Sequence, residues 1–416
     1  MKQNIYPIDF FSGELIIPPS KSISQRVLAC SLMSDEKTVV KNFGESNDEL
    51  TALEILKNST KVVKTDKNRI CIEKTSNLGF RTNELLFNES GLGARLFTPI
   101  LATLNKQLKL IGKGSLVHRP MGVFDKIFPI LGVKFSSRNG CLPFNLKGPI
   151  NPKSIEIDAS LSSQFISGFI YAYVGSKDLR TETIQLNNPS SVPYLELSLE
   201  VLRNFGVDLL IENNCIQFNG PYHFHPCEIT IESDWSSASF YIVAAALRGK
   251  LSLMGLNRFS NQADRKILDV IKEFGAKFQW KNNNLIVEKF KCESFNFDAT
   301  HFPDLFPILA VLGSFGNSKS SIKGVHRLFS KESNRAKTIT SEFAKLGAKI
   351  FIENDSMYIS PAGKPSDLRV NSCKDHRIAM ALAIFGSMLN EPIEISNSEA
   401  VNKSFPNFFK LLESLT

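Results

Sequence analysis

The residues best suited to chemistry are cations placed where helices begin. Lys21 and Arg26 stand among three serines in "PPSKSISQR", directly ahead of the apolar run "VLACSLM". Arg95 in "ESGLGAR", Arg119 in "HRPMG", Arg335 in "KESNR" and Arg377 in "KDHR" hold comparable places. A helix N-terminus already presents free N–H groups and a positive dipole end, so a further cation there is unfavourable unless an anion is bound. Arginine matches phosphate and carboxylate alike with a two-pronged fork. The pattern as a whole points to anionic ligands, although surface ion pairing accounts for any one of these cations taken alone.

Two carboxylates accompany them. Asp304 in "HFPDLFPIL" sits between apolar residues at a predicted helix start, and Glu332 in "SKESNR" lies beside Lys331 and Arg335. Either is a candidate proton carrier. An N-cap explains Asp304 equally well, and an i, i+3 ion pair with Arg335 explains Glu332, so the residues alone leave both readings open. The same holds for the serine doublets Ser162-Ser163, before Gln164, and Ser236-Ser237, which N-capping also explains.

The elements that must position these groups form a repeat. "PILGVKF", "RNFGVDL", "KEFGAKF" and "AKLGAKI" recur at intervals of about 70 residues, each ending an amphipathic helix at a glycine. Counting back one further period reaches Asn58 in "EILKNSTKVV", which predicts a fifth copy with asparagine as the left-handed cap. Each helix is followed by a strand, a turn rich in Asn, Asp or Gly ("TDKNR", "SRNG", "ENN", "KNNN", "END") and a second strand. A helix and a strand precede each copy, so the unit is βαβαββ, used about six times. The last copy, "DHRIAMALAIFGSM" then "PIEI", closes with "SFPNFFKLLESL" and has no hairpin. Alternating strands and helices predict an α/β fold, and an even number of units permits two domains of three. The candidate crossing point of the chain lies near residue 230.

Composition narrows the class. The 416 residues are 43% hydrophobic and 22% charged, as in a soluble globular protein. No run approaches the roughly 18 to 20 apolar residues of a membrane helix. Pro7, Asp9 and Glu14 interrupt the opening segment, which therefore lacks a signal-peptide core, and the expected compartment is the cytoplasm. Seven cysteines without a CxxC pair suit reduced thiols. His223 and His225 lack a third ligand at zinc-site spacing, so no metal is expected. The net charge of +8 comes from dispersed lysines, and no basic block or aromatic-basic stripe argues for nucleic acid. Without a dinucleotide fingerprint or a P-loop, neither NAD nor ATP is expected as a cofactor.

Taken together and in order, "PPSKSISQR", "SGLGAR", "HRPMG", "LSSQF", "SVPY", "DWSSAS", "FPDLF", "KESNR", "DHRIAMA" and "NKSFP" resemble the motifs of the EPSP synthases, in the enolpyruvyl transferase family. The resemblance runs along essentially the whole chain. It implies an inside-out α/β barrel architecture: two domains, expected over 1–14 with 231–416 and over 15–230, each of three βαβαββ units around a pseudo-threefold axis, with the active site in the cleft between them. It also implies transfer of the enolpyruvyl group of phosphoenolpyruvate to the 5-hydroxyl of shikimate 3-phosphate, on the route to chorismate and the aromatic amino acids. Addition to C2 of phosphoenolpyruvate precedes elimination of phosphate. By the same resemblance Lys21, Ser22, Arg26, Ser162, Ser163, Gln164, Ser191, Tyr194, Asp304 and Lys331 contact shikimate 3-phosphate. Lys21, Gly91, Arg119, Gln164, Arg335, Arg377 and Lys403 clamp phosphoenolpyruvate. Asp304 takes the hydroxyl proton, and Glu332, with Lys21 assisting, protonates C3. Both partners are small molecules, and the chain is expected to be a monomer.

Four departures from the family pattern stand out: Glu89 replaces an Asn, Leu92 a Thr, Val192 a basic residue and Asn334 an Asp. A carboxylate beside an anionic substrate is costly, so Glu89 is expected to point away or to pair with a cation. The sister enzyme that uses UDP-N-acetylglucosamine carries a reactive Cys in the loop before the Arg-Pro motif, and "GKGSLVHRP" has none. A more distant rival, an RNA-end-processing enzyme built from similar units, needs nucleotide-binding and catalytic His features that the sequence does not display. A noncatalytic anion-binding module is a further alternative, against which Asp304 and Glu332 count.

Overall fold

A computed structural model of the chain describes residues 1–59, 61–66, 68–74, 80–160 and 162–415. Lys67 of the "TDKNR" turn and Leu161 of the "LSSQF" motif lie outside the described residues.

The chain forms two compact units, Met1–Pro18 with Glu232–Thr416, and Pro19–Ile231. The departure from the first unit falls after Pro18, later than the expected break at Glu14. The strand Phe11–Ile16 runs through that point, pairs along its length with Gly249–Met254, and cannot be divided without losing the ladder. The return falls at Ile231, one residue after the expected break.

In the unit 19–231, the segment 84–147 displays the repeat most plainly. Strand Glu84–Leu86, helix Gly91–Leu101 and strand Gln107–Ile111 make a parallel crossover. Helix Val123–Ile130 and the hairpin Lys134–Arg138 with Cys141–Lys147 follow, and the last strand returns antiparallel to Gln107–Ile111. Ile155–Asn219 repeats this order. The third sheet takes its parallel edge strand from the far end of the unit, with Cys227–Thr230 alongside Thr38–Lys41.

The other unit uses the same device twice. Phe11–Ile16 supplies the first strand of the sheet containing Gly249–Met254. Lys2–Ile5 pairs antiparallel with Ile393–Ser396 and occupies the place of the hairpin that the last copy lacks. Among the described residues, five sheets thus have four strands and one has three.

The turns follow the side-chain chemistry. Asn68, Asn139, Asn213, Asn214, Asn282, Asn283, Asn354 and Asp355 all adopt positive φ, which asparagine and aspartate tolerate better than other non-glycine residues. Gly132, Gly206, Gly275 and Gly347 follow their helices with φ between +75° and +95°. Asn58 does not: its φ of −75° is right-handed, and its side-chain amide donates to the Glu54 carbonyl instead, which satisfies a helix-end acceptor without the left-handed turn.

The central helices are buried all round, so their residues are apolar apart from a few, Arg95, Thr98 and Ser314, each of which is hydrogen-bonded inside. Every residue of Gly91–Leu101 and of Phe306–Ser314 is buried. Gly168 lets its helix, Ser163–Val174, approach Gly91–Leu101 closely, since a Cβ there would stand 2.5 Å from the Arg95 carbonyl oxygen.

Gly347→Ala is expected to cost about 1–3 kcal/mol, because the residue combines a φ of +95° with a collision between any Cβ and the Gly363 carbonyl. Gly122→Ala, at a right-handed φ of −62° with open space around it, is expected to be neutral or slightly stabilising. Urea titrations of the two variants check the difference.

Candidate active site

The predicted site residues fall into two sets, one in each unit. In the unit 19–231 they gather where helices start. Lys21, Gly91 and Ser163 are the first residues of Lys21–Met33, Gly91–Leu101 and Ser163–Val174. Hydrogen bonds tie these first turns together: Ser90 Oγ donates to Gln25 Oε1 at 3.0 Å, and Arg95 Nη1 donates to Gln164 Oε1 at 3.0 Å. Phe165 carries the Arg95 guanidinium 5.0 Å from its ring centre.

Lys21 Nζ lies 2.9 Å from Asp48 Oδ2, and Ser22 Oγ 3.4 Å from Ser20 Oγ. Arg26 is buried, and its fork is held by Ser198 Oγ, the Ser22 carbonyl and the Tyr194 carbonyl at 2.8, 2.9 and 3.2 Å. These acceptors are all neutral, and burial lowers the Arg26 pKa. Ser162 caps its helix by accepting the Gln164 N–H at 3.3 Å, while Ser163 is buried behind it. Ser191 takes a left-handed φ of +58° ahead of helix Val192–Asn204, and its carbonyl accepts the Tyr194 N–H. Arg119 is buried beside Gly91, where a Cβ would collide with its guanidinium; the glycine is what admits the cation to this helix start.

The unit containing Glu232–Thr416 holds a denser charge cluster. Arg335, 1% exposed, meets three carboxylates. Its Nε donates to Asp375 Oδ2 at 2.8 Å, Nη1 to Asp304 Oδ1 at 2.7 Å and Nη2 to Glu332 Oε2 at 2.7 Å. Arg377 Nη2 donates to Asp304 Oδ2 at 3.0 Å, and Lys331 Nζ lies 3.7 Å from Oδ1. Lys403, also buried, places Nζ 3.6 Å from Glu332 Oε1. Four cations therefore face three carboxylates, leaving the set positive when all are ionised.

The electrostatics follow from burial and these neighbours. Burial pushes the Asp304 pKa up, but Arg377, Lys331 and Arg335 outweigh it and hold the carboxyl well below the usual carboxylate range. Burial pushes Lys331 down to about 8, with Asp304 opposing the shift and Arg335 and Arg327 adding to it. Asp264, buried and accepting from Ser236 Oγ, is raised to about 6 chiefly by burial.

Sequence reasoning assigned no role to Asp48 or Asp375. Asp375 stands in the "KDHR" motif next to Arg377, yet nothing local reveals that it caps helix His376–Ser387 and neutralises Arg335, which lies 40 positions away. Asp48 was hidden by its place in an ordinary capping segment, Ser46 to Glu49.

A family model described as EPSP synthase (3-phosphoshikimate 1-carboxyvinyltransferase) matches residues 5–412. The chain belongs to the EPSP synthase family. Among curated relatives named 3-phosphoshikimate 1-carboxyvinyltransferase, one from Clostridium kluyveri is 33% identical over 97% of this chain and 95% of the relative. Another, from Buchnera aphidicola subsp. Cinara cedri, is 31% identical over 98% and 96%. An EPSP synthase structure from Acinetobacter baumannii covers 100% of this chain and 98% of its own, with a TM-score of 0.81 and 23% identity. The enolpyruvyl transferase NikO from Streptomyces tendae has a TM-score of 0.77 at 16% identity, over 99% and 96%. These last two likenesses concern the fold.

Within the EPSP synthase family the departures find local explanations. Asn334 accepts the Lys337 N–H at 3.1 Å, so it caps its helix as an Asp would. Leu92 is buried in the core. Glu89 makes no ion pair among the described residues; its carboxylate lies against Gly114, where any Cβ would collide with Oε1. Nothing in the structure explains Val192.

Asp375→Ala is expected to cost about 3 kcal/mol, the low end for a broken buried pair because Asp304 and Glu332 still face Arg335. The exposed pair of Lys250 with Glu288, 3.0 Å apart, is expected to contribute no more than about 0.5 kcal/mol. Denaturant unfolding of Asp375→Ala and Glu288→Ala compares the two.

Proposed function

We propose that this EPSP synthase family member transfers the enolpyruvyl group of phosphoenolpyruvate to the 5-hydroxyl of shikimate 3-phosphate, releasing phosphate, and that both residue sets act on this one pair of substrates. The family match from residue 5 to 412 carries the reading. The excess of cations over carboxylates around Arg335 supports it, because two anionic substrates must be held together against their repulsion.

In this reading the helix starts at Lys21, Ser162 and Ser191 receive shikimate 3-phosphate together with Arg26, which also holds two helices in place. Arg119, admitted by Gly91, joins Arg335, Arg377 and Lys403 on phosphoenolpyruvate. Asp304 takes the 5-hydroxyl proton as oxygen attacks C2, while Glu332 gives a proton to C3. Elimination then returns the C3 proton to Glu332, and phosphate leaves as it takes up the proton that Asp304 accepted. A carboxylate held as acidic as Asp304 is a poor base. Substrate anions that draw Arg377, Arg335 and Lys331 toward themselves weaken that hold and raise its basicity, so binding prepares the base.

The deciding experiment is inorganic phosphate release from the purified chain given phosphoenolpyruvate and shikimate 3-phosphate, with UDP-N-acetylglucosamine replacing the acceptor in parallel. Release with shikimate 3-phosphate alone is expected, and Lys21→Ala is expected to lose it while remaining folded. Release with UDP-N-acetylglucosamine alone, or with neither acceptor from a folded sample, overturns the proposal.

Lys331 adds a pH dependence. Its charge is lost as pH rises through about 8, so affinity for shikimate 3-phosphate is expected to fall about tenfold between roughly pH 7 and 9.5. Lys331→Arg, which stays charged, is expected to flatten that fall in a calorimetric titration.

A further inference from the structure

Three hairpins begin with a five-residue strand that forms the outer edge of its sheet: Lys134–Arg138, Lys277–Lys281 and Lys349–Glu353. An open edge offers free N–H and C=O groups to any strand that fits it, and cations along the edge deter such pairing. The first two strands carry a cation at each end. Antiparallel pairing of either with its own copy sets those like charges opposite one another.

The third strand differs. Lys349-Ile350-Phe351-Ile352-Glu353 is self-complementary: turned about Phe351, it sets Lys349 against Glu353 and Ile350 against Ile352. Neither Lys349 nor Glu353 has an ion-pair partner among the described residues. Phe351 and Ile352 are 47% and 40% exposed.

The backbone is oriented to match. The hairpin turns on Asn354 and Asp355, both with positive φ, so Glu353 and Ser356 flank a two-residue turn and form its narrow hydrogen-bonded pair. Alternation along the ladder then aims the backbone groups of Phe351 at Tyr358 and those of Ile350 and Ile352 outward. On one face Phe351 stacks on Tyr358 at 4.9 Å and 19°, with Lys319 Nζ 5.2 Å from the tyrosine ring centre. A second copy would extend this ladder of rings across the axis.

We infer that Lys349–Glu353 is a self-association edge, pairing antiparallel with the same strand of a second copy about a two-fold axis at Phe351. Ile350 exchanges both backbone hydrogen bonds with Ile352 of the second copy, and the terminal charges pair. One short strand from each copy is a small contact, so the dimer forms at high concentration and dissociates on dilution. It departs from the monomer expected from the sequence, and a concentration series separates the two.

Sedimentation velocity of the full chain is the test. A reversible dimer is expected for the unaltered chain. Glu353→Lys sets cation against cation and Lys349→Glu sets carboxylate against carboxylate, so each is expected to weaken the dimer about tenfold. The double variant, with the two charges exchanged, is expected to restore it to within about threefold, and Phe351→Lys to abolish it. Phosphate release is expected to be unchanged in all of them. A chain that stays monomeric at every concentration overturns the inference, as does a dimer indifferent to the single substitutions or one that the exchange fails to restore.

Discussion

A guanidinium taken out of water must be met by partners on every prong, and Arg335 imposes that requirement on much of the unit around it. Asp375 meets Nε and also caps the helix behind it; Asp304 and Glu332 meet the two outer nitrogens. The desolvation of an ion costs several kcal/mol, so none of these positions is free to drift. The two carboxylates assigned to proton movement are therefore fixed in direction by the same cation that is assigned to the substrate. Competition between resident carboxylates and arriving anions for Arg335 links binding to basicity.

Arg26 solves the same problem differently. It is as buried as Arg335, yet its acceptors are a hydroxyl and two carbonyls, and its pKa falls where that of Arg335 rises under three carboxylates that outweigh burial. One unit therefore stores its own counterions, whereas in the other, whose cations stand at helix starts, Asp48 meets Lys21 and neutral groups hold the Arg26 fork. That second arrangement suits a ligand bringing its own phosphate.

The repeat explains why so many helix starts carry chemistry. Each βαβαββ unit delivers a buried helix whose first turn emerges at a sheet end, and strands borrowed from distant segments complete three of the sheets. Lys2–Ile5 fills the gap left by the missing hairpin, so a feature that reads as an incomplete copy along the chain is a complete one in space.

Much of this was legible in one dimension. Glycine periodicity, asparagine-rich turns and apolar helices express short-range physics, which operates between neighbours in sequence and can be read there. The cations at helix starts were legible for the same reason, and the ordered motifs gave the family. Asn58 shows the limit even of local reading: a side-chain bond to Glu54 replaced the left-handed cap that its position in the repeat predicted. What only the tertiary structure decided was partnership. Whether Asp304 is an N-cap or a charge partner, that Asp375 answers Arg335, that Glu89 rests on Gly114 and that Lys2–Ile5 completes the last sheet all depend on contacts between distant segments. Burial sets the energy of those contacts, and burial is a property of the folded chain rather than of any stretch within it.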